Sequence, residues 1–285
     1  MPQRQRIQAL GGVSSKHRAS SRNATGVVKY DSVIDALHQQ GSARIRFPNS
    51  EPGALQAVLL NTAGGLTGDD HIQWDVSASN RSRLSVSTAA CEKVYRTHGP
   101  DAVQSTNANV AQDARLDWLP QETIVFDGAA LSRSLTAHIH AQATALFVES
   151  LVLGRQAMSE TLSCARVRDR WRIFRDNKLL HAEDLRLDFS KASHARQQGA
   201  LHHYSALSTI LLVNDQSRES LQIQADAVQT LVGDASKDVT AGISVMDHRL
   251  VIRVLAIDSF RLRKFLIPCV EALNEGSPIP PVWNV

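Results

Sequence analysis

The chain has 285 residues, 43% of them apolar, and a formal net charge of +3. That length suits one large domain or two modest ones, with enough apolar side chains for a sizeable core. Acids and bases are mixed along the chain, which argues against a dense nucleic-acid-binding face. No run reaches the ~18 uninterrupted apolar residues of a membrane helix; the longest, Ala145 to Leu153, is broken by Glu149 and Ser150.

The first 25 residues have no acid, several arginines and serines, and no apolar stretch long enough for a secretory signal. Their composition overlaps with that of transit peptides, but it reads best as a solvated, flexible tail. Cys91, Cys164 and Cys269 are odd in number and far apart. They offer neither a disulfide framework nor a zinc spacing, so reduced thiols in a cytoplasmic protein are expected.

From Arg44 onward the sequence reads as strand after strand. Arg44 to Phe47 alternates and stops at Pro48. Gln56 to Asn61 is a short apolar run of the kind a strand buried on both faces shows. Ile72, Trp74 and Val76 share one face of the next strand, and Leu84 to Ser87 alternates again. Longer segments with the same period cover 103–119, 131–153 and 165–189, the last folded back at Asp176-Asn177-Lys178 because Asn tolerates positive φ.

Beyond residue 195 the pattern changes. Leu207–Val213 reads as a strand and Arg218–Val232 as an amphipathic helix. A hairpin turns at Asp247-His248-Arg249. A last helix runs from Phe260 to Asn274, capped by Asp258-Ser259 and closed by Gly276. The expected fold is therefore mainly β, a stacked-sheet body over 26–195 with a β-α-β-β-α portion over 196–285 packed on it as one domain. Several strands are long enough for a solenoid-like winding, although no fixed sequence period is present.

The most distinctive run is Asn61 to Asp70, where Gly64, Gly65 and Gly68 permit positive φ and close backbone approach. No Lys-Ser/Thr pair follows Gly68, so a nucleotide loop is not supported. The turn presents Asp69, Asp70 and His71 either as weak metal donors or as solvated acids. Glu92, Lys93 and Arg96 interrupt an apolar strand edge. Glu149 lies inside an apolar strand and needs a partner if buried, for which Arg155 is the nearest candidate. His138 and His140 fall on one face of a strand but lack an evident third ligand. No nucleophile elbow or zinc-protease motif is present. A metal-dependent hydrolase built on His138, His140 and nearby acids is the enzymatic alternative; eleven scattered histidines do not suit a metal store.

Five runs in order carry a resemblance: LLNTAGGLTGDD (59–70), EKVYR (92–96), LDWLPQETIVFDGA (116–129), ESLVLGR (149–155) and DRWRIFRDNKLLHAEDL (169–185), with a closing PPVW (280–283). Together they resemble the urease accessory family UreD, also called UreH, from about residue 41 to the end. The resemblance implies a β-helix-like body with two helices in the C-terminal third. It also implies a chaperone or scaffold, not an enzyme. Such a protein binds UreF, through it the GTPase UreG, and apo-urease, and assists nickel insertion.

An internal nickel tunnel has been suggested for the family. On that reading Asp70, Glu92, Glu149 and Glu183 would offer weak, successive oxygen sites to a transient nickel ion, with no tightly bound cofactor. Buried ion pairs are the alternative for these acids. Gly64, Gly65, Gly68, Arg155, Glu160 and Trp283 match motif positions that are structural or interfacial. The chain departs from the family at Asp69, Ser159 and Asn177, where glycine is usual, and at Pro281, where arginine is common.

Overall fold

The computed structural model describes residues 6–22, 28–48, 53–154, 162–189, 201, 203–234, 237–274 and 279–284. The chain winds between two facing sheets. Strands β1 (Gln8–Arg22), β2 (Val28–Gln40), β5 (His71–Ala78), β8 (Ala102–Val110), β11 (Ala130–Ile139), β13 (Arg166–Arg175) and β14 (Lys178–Asp188) form the first sheet, in the order β14-β13-β11-β8-β5-β1-β2. The second contains β3 (Ala43–Arg46), β4 (Leu55–Asn61), β6 (Arg83–Thr88), β9 (Arg115–Leu119) and β12 (Thr144–Leu153). It is extended by β15 (Ala206–Val213), β17 (Arg249–Ala256) and β16 (Val239–Met246). Short strands β7 (Glu92–Val94) and β10 (Thr123–Val125) make a narrow third wall, parallel to each other and to the end of β12.

Successive coils place one strand on each wall, so β5, β8, β11 and β13 stack in parallel, as do β4, β6, β9 and β12. This is the solenoid-like, mainly β body anticipated from the long strands. The segments 103–119 and 131–153, each read as one stretch, are both bent by tight corners. Ala114 N bonds Ala111 O with Asp113 at positive φ, and Ala143 N bonds His140 O. The period of 2 runs through both strands of each segment, which hides the corner in the sequence. The 176–177 turn is as expected, with both Asp176 and Asn177 at positive φ.

One expectation is corrected. Residues 8–22, taken as part of a flexible tail, form β1, antiparallel to β2 and parallel to β5. Ala9, Gly11, Val13 and Ser15 turn inward, while Gln8, Lys16 and Arg18 are exposed. Gly11 is small because a Cβ there would lie 2.1 Å from the Trp74 ring. Small inward residues leave little hydrophobic alternation to read, and that is why the strand resembled a tail.

The interior between the walls is one apolar core. A second core lies between the outer face of β12, β15 and β17 and the helices α1 (Arg218–Asp234) and α2 (Ser259–Leu273). Strand β12 serves both: Ala145, Phe147, Leu151 and Leu153 face the solenoid interior, and Leu146, Val148 and Val152 face the helices. Burial on two faces explains its apolar run, broken only at Glu149 and Ser150. Helix α2 starts where the Asp258 side chain accepts from Arg261 N at 2.8 Å. A short 3-10 turn (Pro281–Asn284) ends the described chain. Among the described residues no helix is long and apolar enough to cross a membrane.

Candidate functional site

Among the described residues, charged side chains enter the apolar interior of the solenoid together at one level. On the first sheet Gln104, Arg133 and Asp169 occupy inward positions in register on β8, β11 and β13. Facing them from β12 is Glu149, in phase with Phe147 and Leu151. Arg133 Nη2 lies 2.5 Å from Asp169 Oδ2, and its Nε lies 3.3 Å from Glu149 Oε2. Arg133 Nη1 reaches Thr123 Oγ1 at 3.4 Å, and Trp118 Nε1 donates to Glu149 Oε1 at 3.1 Å. Arg133, Glu149 and Asp169 are all buried.

Two carboxylates thus share one guanidinium away from water, and the shared cation is held more tightly by Asp169. Burial pushes the Glu149 carboxyl up to about 7, helped by the nearby Asp169 charge and opposed by Arg133 and the tryptophan hydrogen bonds. Burial alone would lower Arg133, but Asp169 and Glu149 outweigh it and hold the guanidinium firmly charged.

Beside this cluster lies a cavity of about 210 Å³, lined among others by Asn61, Cys91, Glu92, Gln104, Arg133 and Glu149. Glu92 enters it from β7, beside Thr123 on β10. Its Oε2 accepts from Asn61 Nδ2 at 3.2 Å and its Oε1 from Lys93 N at 3.0 Å. Burial raises the Glu92 carboxyl, with the Asn61 and Lys93 bonds opposing. Burial and the neighbouring Glu122 push the Cys91 thiol up to about 11, leaving it protonated. Gln104 Oε1 and Glu149 Oε2 are buried without a hydrogen-bond donor among the described residues. The cavity thus gathers the carboxylates of Glu92 and Glu149 and the amide oxygen of Gln104 beside the cations Lys93 and Arg133.

Of the four acids expected along a metal route, the structure brings Glu92 and Glu149 together at this cavity. Asp70 and Glu183 lie elsewhere. Asp70 closes the glycine turn: Oδ1 accepts from Ile7 N and Oδ2 from Thr67 N, each at 2.8 Å. Gly64 and Gly65 have φ of 81° and 145°, and a Cβ on Gly68 would fall 1.9 Å from Thr97 Oγ1. The turn is built to lie flat on the β7 segment, where Leu66 N donates to Lys93 O at 2.7 Å. Glu183 on β14 joins His181 and, through two 3.2 Å bonds, Arg253 of β17. Burial would raise it, but those bonds prevail and its carboxyl is held below the usual value.

Arg155 and Glu160 lie outside the described residues. The partner seen beside Glu149 is Arg133 on the preceding strand β11, because the corner at 140–143 turns β12 to face β11 across the interior. Trp283 is buried and its Nε1 donates to Leu119 O at 2.9 Å, pinning the chain end to β9.

His138 does not join a metal cluster: its ring stacks on Phe174 at 4.9 Å, and His140 Nδ1 accepts from Gln142 N. Among the described residues no three His, Cys, Asp or Glu side chains are grouped to hold a metal ion. Sequence reasoning missed Arg133, Asp169 and Gln104. The signal was there: Arg133 is in phase with Leu131 and Leu135, and Asp169 with Val167 and Trp171. A charge in phase with buried apolar neighbours must find a partner inside.

The sequence matches the family of UreD urease accessory proteins over residues 17–284. It is 43% identical to a urease accessory protein UreD of Rhizobium leguminosarum bv. viciae, over 88% of this chain and 89% of that one. It is 42% identical to the UreD protein of Chelativorans sp. (strain BNC1), over 88% of each chain. The UreD protein of Agrobacterium fabrum (strain C58 / ATCC 33970) is 38% identical over 94% of this chain and 91% of its own. The chain belongs to the UreD family of urease accessory proteins.

Proposed function

We propose that this chain is a non-catalytic scaffold of urease maturation in the cytoplasm. It binds UreF, through it UreG, and apo-urease, and it assists transfer of nickel into the urease active site. Nickel is cargo here, held only in passing. The observation that carries this reading is the interior cavity where Glu92 and Glu149 meet beside the oxygen of Gln104. A cargo ion must leave again, so a few incompletely partnered oxygens suit the task better than a closed tetrahedral cage. Asp70 and Glu183 act as fasteners, one for the glycine turn and one for the β14–β17 contact.

The test is co-purification of the tagged chain with UreF, UreG and apo-urease, followed by measurement of bound nickel and urease activity. Glu92→Gln and Glu149→Gln should retain complex formation and cut urease activation at least about tenfold by removing charged ligands. Full activation by both variants would sink the interior route. A chain that ignores all three partners would sink the scaffold reading.

A further inference from the structure

The outward face of β13 carries a column of arginines. Arg166, Arg168, Arg170 and Arg172 alternate with the buried Val167, Asp169 and Trp171, so the four point to the same outer side, ~7 Å apart per step. On β14, Arg186 stands opposite Arg168, Asp184 opposite Arg170 and Asp188 opposite Arg166. Like charges placed opposite each other weaken a sheet. Asp184 relieves one such pair, bonding Arg168 at 3.0 Å and Arg186 at 2.9 Å. Asp101 reaches Arg166 at 3.3 Å.

Among the described residues that leaves two guanidiniums without a carboxylate. Among the described residues Arg170 makes no ion pair, and Arg172 donates only to the carbonyls of Trp171 and Glu183. On the other flank Ser132, Ser134 and Thr136 of β11 fill the same rows with neutral hydroxyls. The segment after β14 has no acid to offer, since residues 190–200 contain Lys191, His194 and Arg196.

We infer that this face docks an acidic polypeptide surface, whose carboxylates engage Arg168, Arg170 and Arg172 beside the hydroxyl shelf of β11. Guanidinium forks match carboxylates bidentately. The modest net charge of +3 and the acids embedded in the face disfavour a phosphate backbone. The assembly role proposed above enters only in choosing which proteins to test as bearers of the acids.

The full chain is titrated with apo-urease, with the UreF–UreG pair, and with a labelled peptide of alternating Glu and Thr, at ~0.15 M salt. The triple variant R168Q/R170Q/R172Q should bind the peptide and one of the proteins at least about tenfold more weakly. Asp184→Asn frees two guanidiniums and should tighten the same binding about two- to fivefold, an effect no purely structural role of Asp184 produces. Affinities within twofold of wild type for the triple variant would overturn the inference, as would a single-stranded oligonucleotide binding more tightly than either protein. If wild type binds neither protein, the assembly reading falls and the peptide decides this face. Peptide binding lost in the triple variant sustains it, and no peptide binding removes it.

Discussion

Replacing Glu149 with Gln should stabilise the fold at alkaline pH while disabling its proposed use. Glu149 has an ordinary carboxyl value of 4.5 and is pushed up to about 7 in the folded chain. An acid whose folded value is raised binds more protons folded than unfolded over that window. Stability therefore falls as pH rises from 4.5 through 7, by about 3 kcal/mol at ~1.4 kcal/mol per unit. Glutamine cannot ionise and escapes that loss, and its side-chain oxygen can still accept from Trp118. Arg133 loses its looser partner, which costs about 1 kcal/mol, but keeps Asp169 at 2.5 Å.

The net expectation is a variant about 2 kcal/mol more stable than wild type at pH 8 and about 1 kcal/mol less stable at pH 4.5, where only the lost Arg133 contact remains. Urea unfolding of both proteins across pH 4.5–8 measures it directly. A variant less stable than wild type by more than about 1 kcal/mol at pH 8 would refute the reasoning, because the Arg133–Glu149 contact would then outweigh the burial of a second charge.

Two further variants probe how the frame is held. Gly68→Ala should cost more than about 2 kcal/mol, since its Cβ would strike Thr97 Oγ1 and the Pro100 carbonyl, whereas Gly64→Ala meets no atom and costs only the ~1 kcal/mol of its positive φ; equal thermal-melting losses would contradict this. Arg263 of α2 makes a close double contact with the buried Glu122, so Arg263→Ala should lower stability by about 2–3 kcal/mol and loosen the helix from the body. Unchanged urea denaturation, with unchanged hydrogen exchange in α2, would refute that role.

The strands and helices were legible in the sequence because each is written in a local period. Ile72-Gln73-Trp74-Asp75-Val76 announces a half-buried strand, and the Asp258-Ser259 cap announces α2. What the sequence hid is what depends on stacking. The corners at 111–114 and 140–143 consume no more residues than the alternation can absorb, so two strands read as one. Strand β1 went unseen because Gly11 and Ser15 stand where larger apolar residues would have betrayed an inward face. The site was half legible for the same reason. Glu92 and Glu149 stand out as acids within apolar runs, but their common cavity exists only once β7, β10 and β12 lie side by side.

The position of Arg133 explains why a buried charge imbalance persists in this interior. Had Arg133 lain equally close to both acids, it would offset the two carboxylates alike. Instead Asp169 takes the short contact, and Glu149 Oε2 is left with a longer approach to Arg133 Nε, 3.3 Å without hydrogen-bond geometry. The consequence can be tested apart from Glu149 itself. Asp169→Asn removes the stronger acceptor, so Arg133 should settle on Glu149 as a closely bonded pair. Because this variant leaves one acid for one base, its folding should survive, and its pH-dependent loss of stability between pH 4.5 and 7 should shrink as Glu149 returns toward its ordinary value. A steeper loss in that window would mean that Asp169 is not what draws Arg133 away.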